Sequence, residues 1–176
     1  MSRKVQFIPG GTVTTPAGFQ AGATFAGIKT YAQDKLDMGL LYATSPCTCA
    51  AVFTTNRIQS PSIVLTRERV RKGAVRAAVV NSGIANVLVG EHGHKDALEM
   101  GDLAAKSLGL PPEEVAVLST GIIGVEQPMA LIRAAVPKIE LAESGGNVFA
   151  RAIMTTDTHP KEAAVAYEHG GRTVTI

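Results

Sequence analysis

VRAAVVNSGIANVLVG, Val75–Gly90, is the stretch that decides how the chain is built. Its first six residues, VRAAVV, are short and mostly apolar, the signature of a buried strand. Asn81-Ser82-Gly83 follow, and such small polar residues favour turns, so the strand is expected to give way at Val80 to a loop through Gly90. Glu91 to Leu108 then carries Ala97, Met100, Leu103, Ala104 and Leu108 at helical spacing, with Gly109 as a natural C-terminal stop. Val115–Leu118 reads as a second buried strand that runs into Ser119-Thr120-Gly121. Strand, helix and strand in succession mark an α/β fold.

The same alternation extends outward. Gly18–Lys29 reads as an extended strand with glycine kinks, and Met38–Ala43 and Ala50–Thr55 as short buried strands. Ser60 followed by Pro61 is a helix start, with the helix expected through about Arg71. Downstream, Pro128 opens a helix that Pro137 interrupts, Asn147–Met154 forms a short helix, and Glu162–Glu168 and Arg172–Ile176 form a hairpin around His169-Gly170-Gly171. No repeat or linker breaks the pattern, so residues 1–176 are expected to form a single α/β domain. The hairpin stops with Ile176, which suggests that something else supplies neighbouring structure.

Of the 176 residues 45% are hydrophobic, 18% are charged and none is Trp, so the core must be built from Ala, Val, Ile and Leu. A net charge of +2 gives no strong field toward nucleic acid or membrane. Arg67, Arg69, Arg71 and Lys72 read as a solvated helix face. Cys47 and Cys49 point to opposite sides of any strand, which disfavours a mutual disulfide and leaves them as small buried hydrophobes. Met1-Ser2-Arg3-Lys4 leads into no long apolar stretch, and no run approaches the roughly 20 apolar residues of a membrane helix. The default location is the cytoplasm.

Two junctions between strand and loop could carry chemistry: Asn81-Ser82-Gly83 and Ser119-Thr120-Gly121. Such ends can offer backbone N–H groups and hydroxyls to a ligand, although each by itself is also an ordinary turn. AIMTTDTHPKEAAV, Ala152–Val165, raises the same choice, because threonines and aspartate collect at helix ends. Neither a dinucleotide fingerprint nor a Walker loop is present. His92 and His94, like the two cysteines, have the wrong spacing for a zinc site, and the histidines are expected to be solvated at a helix start. No nucleophile elbow occurs, so any nucleophile for acyl chemistry is expected outside this chain.

PAGFQAGATFAGIK from Pro16, AAVFTTNRIQSPSIVL from Ala50, NSGIANVLVG from Asn81, STGIIG from Ser119 and AIMTTDTHPKEAAV from Ala152 occur in that order. Together they resemble the α chain of ornithine acetyltransferase, the bifunctional glutamate N-acetyltransferase of arginine biosynthesis. The resemblance implies a layered sandwich of sheets and helices and a precursor that cuts itself into α and β chains. It implies that the threonine at the new β-chain N-terminus takes acetyl from N-acetylornithine and passes it to glutamate. The chains would associate as an α2β2 heterotetramer. No cofactor or metal is implied, with acetyl-CoA as a possible further substrate.

By position, Thr120 and Gly121 match the family's oxyanion-hole pair, and Thr155 matches a substrate-binding position. The nucleophilic threonine has no match before Ile176, and neither has the glycine-rich segment with a substrate-contacting lysine expected ahead of the cut. One loop departs from the family pattern NSGNANACTG: Ile84 replaces its second Asn, and Val87, Leu88 and Val89 replace Ala, Cys and Thr. Asp157, Thr158 and Pro160 are expected to end a helix and turn the chain, leaving Thr155 to face substrate. Two other readings remain: a self-cleaving amide hydrolase or aminopeptidase, with water as acceptor, and a non-catalytic module in which the glycine loops hold an anion.

Overall fold

A computed structural model describes residues 5–176. Residues 1–4, on which the reading of a missing secretory signal rested, lie outside the described residues. Among the described residues, seven strands form two sheets. The larger has the order β2 (Phe19–Thr24), β3 (Met38–Ala43), β4 (Ala77–Ile84), β5 (Val115–Ile122). β2, β3 and β4 pair antiparallel, whereas β4 and β5 pair parallel from Ala77↔Val115 to Ile84↔Ile122. A parallel pair needs a long crossover, and α2 (His92–Leu108) provides it.

Side chains alternate across a strand, so β4 and β5 each present two sets of residues. Val79, Val115 and Val117 join Met38 and Leu40 on one face. Against them pack Leu65 of α1 (Pro61–Arg71), Ala97, Met100 and Ala104 of α2, and Ile132 of α3 (Met129–Ala135). α1 starts as its sequence demands: the Ser60 hydroxyl accepts from the Ile63 N–H at 3.2 Å and Pro61 occupies the first turn. Its arginines are not uniformly solvated, which corrects the sequence reading. Arg69 is buried and its guanidinium donates to the Val115 carbonyl at 2.7 Å, so its charge sits against the end of β5.

α4 (Gly146–Ala152) covers part of the opposite face of this sheet, with the Phe149 ring close to Gly39. The smaller antiparallel sheet has the order β1 (Gln6–Ile8), β6 (Ala164–His169), β7 (Arg172–Thr175). Gly170 and Gly171, with φ of 58° and 75°, make the two-residue hairpin turn, a place where positive φ at both positions calls for glycine.

Four other expectations change. Gly18–Lys29 is extended only over β2. Ala50–Thr55 forms no strand: it is exposed apart from the half-buried Phe53, and it finds no partner edge. Cys47 is exposed and Cys49 half-buried, because the CTC segment is irregular surface chain rather than strand. β4 and β5 also do not end at Val80 and Leu118. Both continue through the small polar triplets, because each triplet is the pairing partner of the other.

Candidate active site

Parallel, in-register pairing brings the two triplets together. Asn81 lies opposite Ser119, Ser82 opposite Thr120, and Gly83 opposite Gly121. They occupy the carboxyl ends of adjacent parallel strands, where α/β sheets bind ligands. Gly121 (φ 133°) and Gly83 (φ 113°) have backbone angles that L side chains rarely adopt. Space excludes side chains as well. A Cβ on Gly121 would lie 2.2 Å from the Gly83 carbonyl carbon, and one on Gly83 would lie 3.0 Å from Lys29 Cα. Three backbones therefore run side by side with nothing between them: β5, β4 and the loop that carries Lys29.

Polar groups on both faces hold this edge. On the helix-covered face, Asn81 is fully buried. It exchanges hydrogen bonds with Gln127: Asn81 Nδ2 donates to Oε1 at 3.2 Å, and Gln127 Nε2 donates to Asn81 Oδ1 at 3.0 Å. Gln127 Nε2 also donates to the Ser119 hydroxyl at 3.3 Å, which shares a 3.1 Å hydrogen bond with the hydroxyl of Ser62. The amides fix both strands where the ladder would otherwise fray.

On the opposite face the buried Ser82 hydroxyl donates to the Ala152 carbonyl at 2.5 Å, fastening the last turn of α4 to β4. The Ser82 N–H donates to the Asp37 carbonyl at 2.9 Å. Asp37 is fully buried, and its carboxylate gathers four consecutive N–H groups. Ala26 donates to Oδ1 at 2.6 Å, while Gly27, Ile28 and Lys29 donate to Oδ2 at 3.1, 2.7 and 3.1 Å. A carboxylate satisfied in this way freezes the loop against β4.

Beside this loop a cavity of about 580 Å³ is lined by Lys29, Lys35, Asp34, Arg151, Thr155 and Asp157, among others. The Lys29 ammonium donates to the Met154 carbonyl at 2.7 Å. Burial lowers the Lys29 pKa, and the nearby Asp37 charge works against that lowering. The Thr155 N–H donates to Asp157 Oδ2 at 3.1 Å, and Asp157 is ion-paired with Lys161. The Lys161 hydrogen bond first, and the Thr155 N–H second, hold the Asp157 carboxyl below its ordinary range. α4 has already ended at Ala152, so Asp157 and Thr158 shape an exposed turn beyond the helix rather than the helix end itself.

Thr155 thus lines a cavity, whereas Thr120 and Gly121 stand at the strand edge outside its lining. They are linked through Ser82, which pairs with Thr120 and bonds to Ala152, three residues before Thr155. Sequence reasoning missed Lys29, Asp37 and Gln127. Asp37 sits in the polar run TYAQDKLD, which reads as solvated loop, and only the fold reveals that its carboxylate is buried. His92 and His94 are exposed at the start of α2, as expected. Among the described residues no helix is long and apolar enough to cross a membrane.

With this geometry in place, comparison with known proteins gives a consistent result. The ArgJ family profile matches residues 20–176. The arginine biosynthesis bifunctional protein ArgJ of Symbiobacterium thermophilum is 47% identical over 174 residues, covering 98% of this chain and 43% of the relative. That of Dehalococcoides mccartyi is 44% identical over 165 residues, covering 94% of this chain and 41% of the relative. The chain therefore spans less than half the length of these curated relatives. Among solved structures, the ArgJ protein of Bacillus halodurans superposes with a TM-score of 0.94 at 34% identity, covering 100% of this chain and 92% of that one. The ornithine acetyltransferase of Mycobacterium tuberculosis, solved in complex with ornithine, gives a TM-score of 0.87 at 35% identity, covering 98% and 93%.

Proposed function

The chain belongs to the ArgJ family, and from that premise we propose that it is the α portion of an acetyltransferase that moves acetyl from N-acetylornithine to glutamate. The observation that carries the proposal is the in-register pairing of Ser82-Gly83 with Thr120-Gly121 beside a cavity lined by Thr155. That arrangement puts a hydroxyl and a side-chain-free backbone at the open end of two parallel strands. The ornithine complex of the Mycobacterium tuberculosis relative supports an amino-acid ligand for this fold.

In this proposal the attacking hydroxyl belongs to a threonine at the N-terminus of a partner β chain, within an α2β2 assembly. Its own α-amine, with an ordinary pKa of about 7.7–8.0, accepts the hydroxyl proton as oxygen adds to the acetyl carbonyl. The carbonyl π electrons move onto oxygen, and the Thr120 hydroxyl and Gly121 N–H donate to that oxyanion. Donors placed in advance stabilise the developing charge more than the neutral substrate. Collapse breaks the C–N bond, ornithine leaves with the proton on its nitrogen, and acetyl-threonine remains. The glutamate amine then attacks the ester, and the same steps in reverse order release N-acetylglutamate and restore the threonine. Thr155 contacts the amino-acid part of the substrate. Acetyl-CoA is a second donor in this reading, tested by substituting it for N-acetylornithine.

The test is incubation of the complete enzyme with N-acetylornithine and glutamate, read by mass spectrometry of small molecules and intact chains. Equal release of ornithine and N-acetylglutamate, with an acetylated chain beginning with Thr, is expected. Free acetate in place of N-acetylglutamate would instead make the enzyme an amide hydrolase.

A further inference from the structure

Among the described residues, three cationic side chains line the Thr155 cavity, and they differ in how they are held. Lys35 and Arg151 are exposed, whereas Lys29 is half-buried. Exposed cations are screened by water and salt, so a partly buried one attracts an anion more strongly. Lys29 is also the one whose backbone is fixed. Its N–H is the last of the four that end on the Asp37 carboxylate, and its Cα abuts Gly83. One ammonium hydrogen is committed to the Met154 carbonyl, one residue before Thr155. An ammonium has three donors, so two remain for a ligand.

We propose that the Lys29 ammonium is a substrate-binding group that receives a carboxylate of the amino-acid substrates. This rests on the acetyltransferase reading above. The placement suits the role. The Lys29 Cα abuts Gly83, which in turn abuts Gly121, so at most two strand spacings, about 10 Å, separate the Lys29 backbone from Gly121. An acylated amino acid with its carbonyl at Gly121 can extend its acidic groups toward the Lys29 side. Burial disfavours the Lys29 charge against the opposing pull of Asp37 and Asp157, and an incoming carboxylate adds a counter-charge within hydrogen-bonding reach. N-acetylornithine offers only an α-carboxylate, whereas glutamate offers an α- and a side-chain carboxylate, and one cation can serve either kind.

The test uses the complete enzyme with Lys29→Gln, which loses the charge but keeps a donor for Met154, and Lys29→Arg, which keeps the charge. KM and kcat are measured for N-acetylornithine, for its α-carboxamide and for glutamate. Lys29→Gln should raise KM about 10- to 100-fold, the span for losing a hydrogen bond to a charged group, with kcat within a few-fold. Lys29→Arg should keep most of the affinity. If both KM values rise, the α-carboxylate is the ligand, and Lys29→Gln should no longer distinguish acid from carboxamide. If only the glutamate KM rises, the side-chain carboxylate is the ligand. Unchanged KM for both substrates, or equal losses in the Gln and Arg variants, overturns the proposal. A wild-type enzyme that transfers no acetyl would sink the functional reading instead, and that outcome is seen before any variant is compared.

Discussion

Replacing Asp37 by Asn tests whether one buried carboxylate sets the loop that borders the site. Oδ1 accepts one backbone N–H and Oδ2 accepts three. An asparagine must turn its NH₂ toward one of these two groups. In the better orientation it meets the Ala26 N–H, so one donor is left unsatisfied in a buried site, at about 1–3 kcal/mol. The other three hydrogen bonds persist but lose their charge assistance, about 1 kcal/mol each. Relief of the carboxylate's own burial offsets part of this sum. The expected net loss is about 3–4 kcal/mol, a large share of the 5–15 kcal/mol that stabilises typical domains. Urea unfolding followed by circular dichroism reads the loss as a lower midpoint at similar slope. Amide exchange should rise first at residues 26–29. A variant within about 0.5 kcal/mol of wild type, with unchanged exchange in that loop, would refute the idea that the carboxylate holds it.

Three further outcomes follow from the same geometry. Thr120→Ala in the complete enzyme should lower kcat about 100- to 1,000-fold if its hydroxyl donates to the oxyanion, and unaltered turnover would remove it from the mechanism. Gly121→Ala forces a Cβ to within 2.2 Å of the Gly83 carbonyl carbon at a φ of 133°, so β4 and β5 must separate at their ends. It should destabilise by several kcal/mol or prevent folding, and a normal denaturation midpoint would contradict the close approach of the strands. The depressed Asp157 pKa means that its pairing with Lys161 contributes above the ordinary aspartate range and is lost as pH falls through the lower folded value. Carboxyl NMR titration should place Asp157 below about 3.9, and Lys161→Met should move it upward.

Much of the fold was legible because local chemistry and burial agree in most elements. The Ser60-Pro61 start of α1, the apolar stripe of α2 and the Gly170-Gly171 turn each follow from their own residues. The errors share one cause: a partner that lies far away in sequence. Asn81-Ser82-Gly83 looks like a loop until Ser119-Thr120-Gly121 is placed beside it, at which point both triplets become strand. Arg69 looks solvated until its helix is laid over β5, where the Val115 carbonyl awaits it. Ala50–Thr55 fails in the opposite sense, since apolar composition makes a strand only where an edge is free to pair. Thr120, Gly121 and Thr155 were singled out through family resemblance, whereas the burial of Lys29 and Asp37 needed the fold.

The departure at Ile84 and Val87–Val89 is resolved by asking what holds that loop. The Ala85 N–H donates to the Ile122 carbonyl at 2.8 Å, and the Gly124 N–H donates to the Val87 carbonyl at 2.7 Å. Asn86, buried and at a φ of 53°, donates through its side chain to the Gly93 carbonyl at 2.8 Å. Asparagine tolerates that angle better than most residues. None of these contacts uses the side chain of residue 84, 87, 88 or 89. The polar groups that brace the strand ends, Asn81, Ser82, Ser119, Asn86 and Gln127, are untouched by the replacement. Leu88 instead stands 61% exposed, and its neighbour Val87 accepts from the N–H of Gly124, which follows the exposed Ile122 and Ile123. The hydrogen bonds that hold the strand ends therefore do not depend on the side chains at positions 84, 87, 88 and 89, of which only Leu88 is exposed.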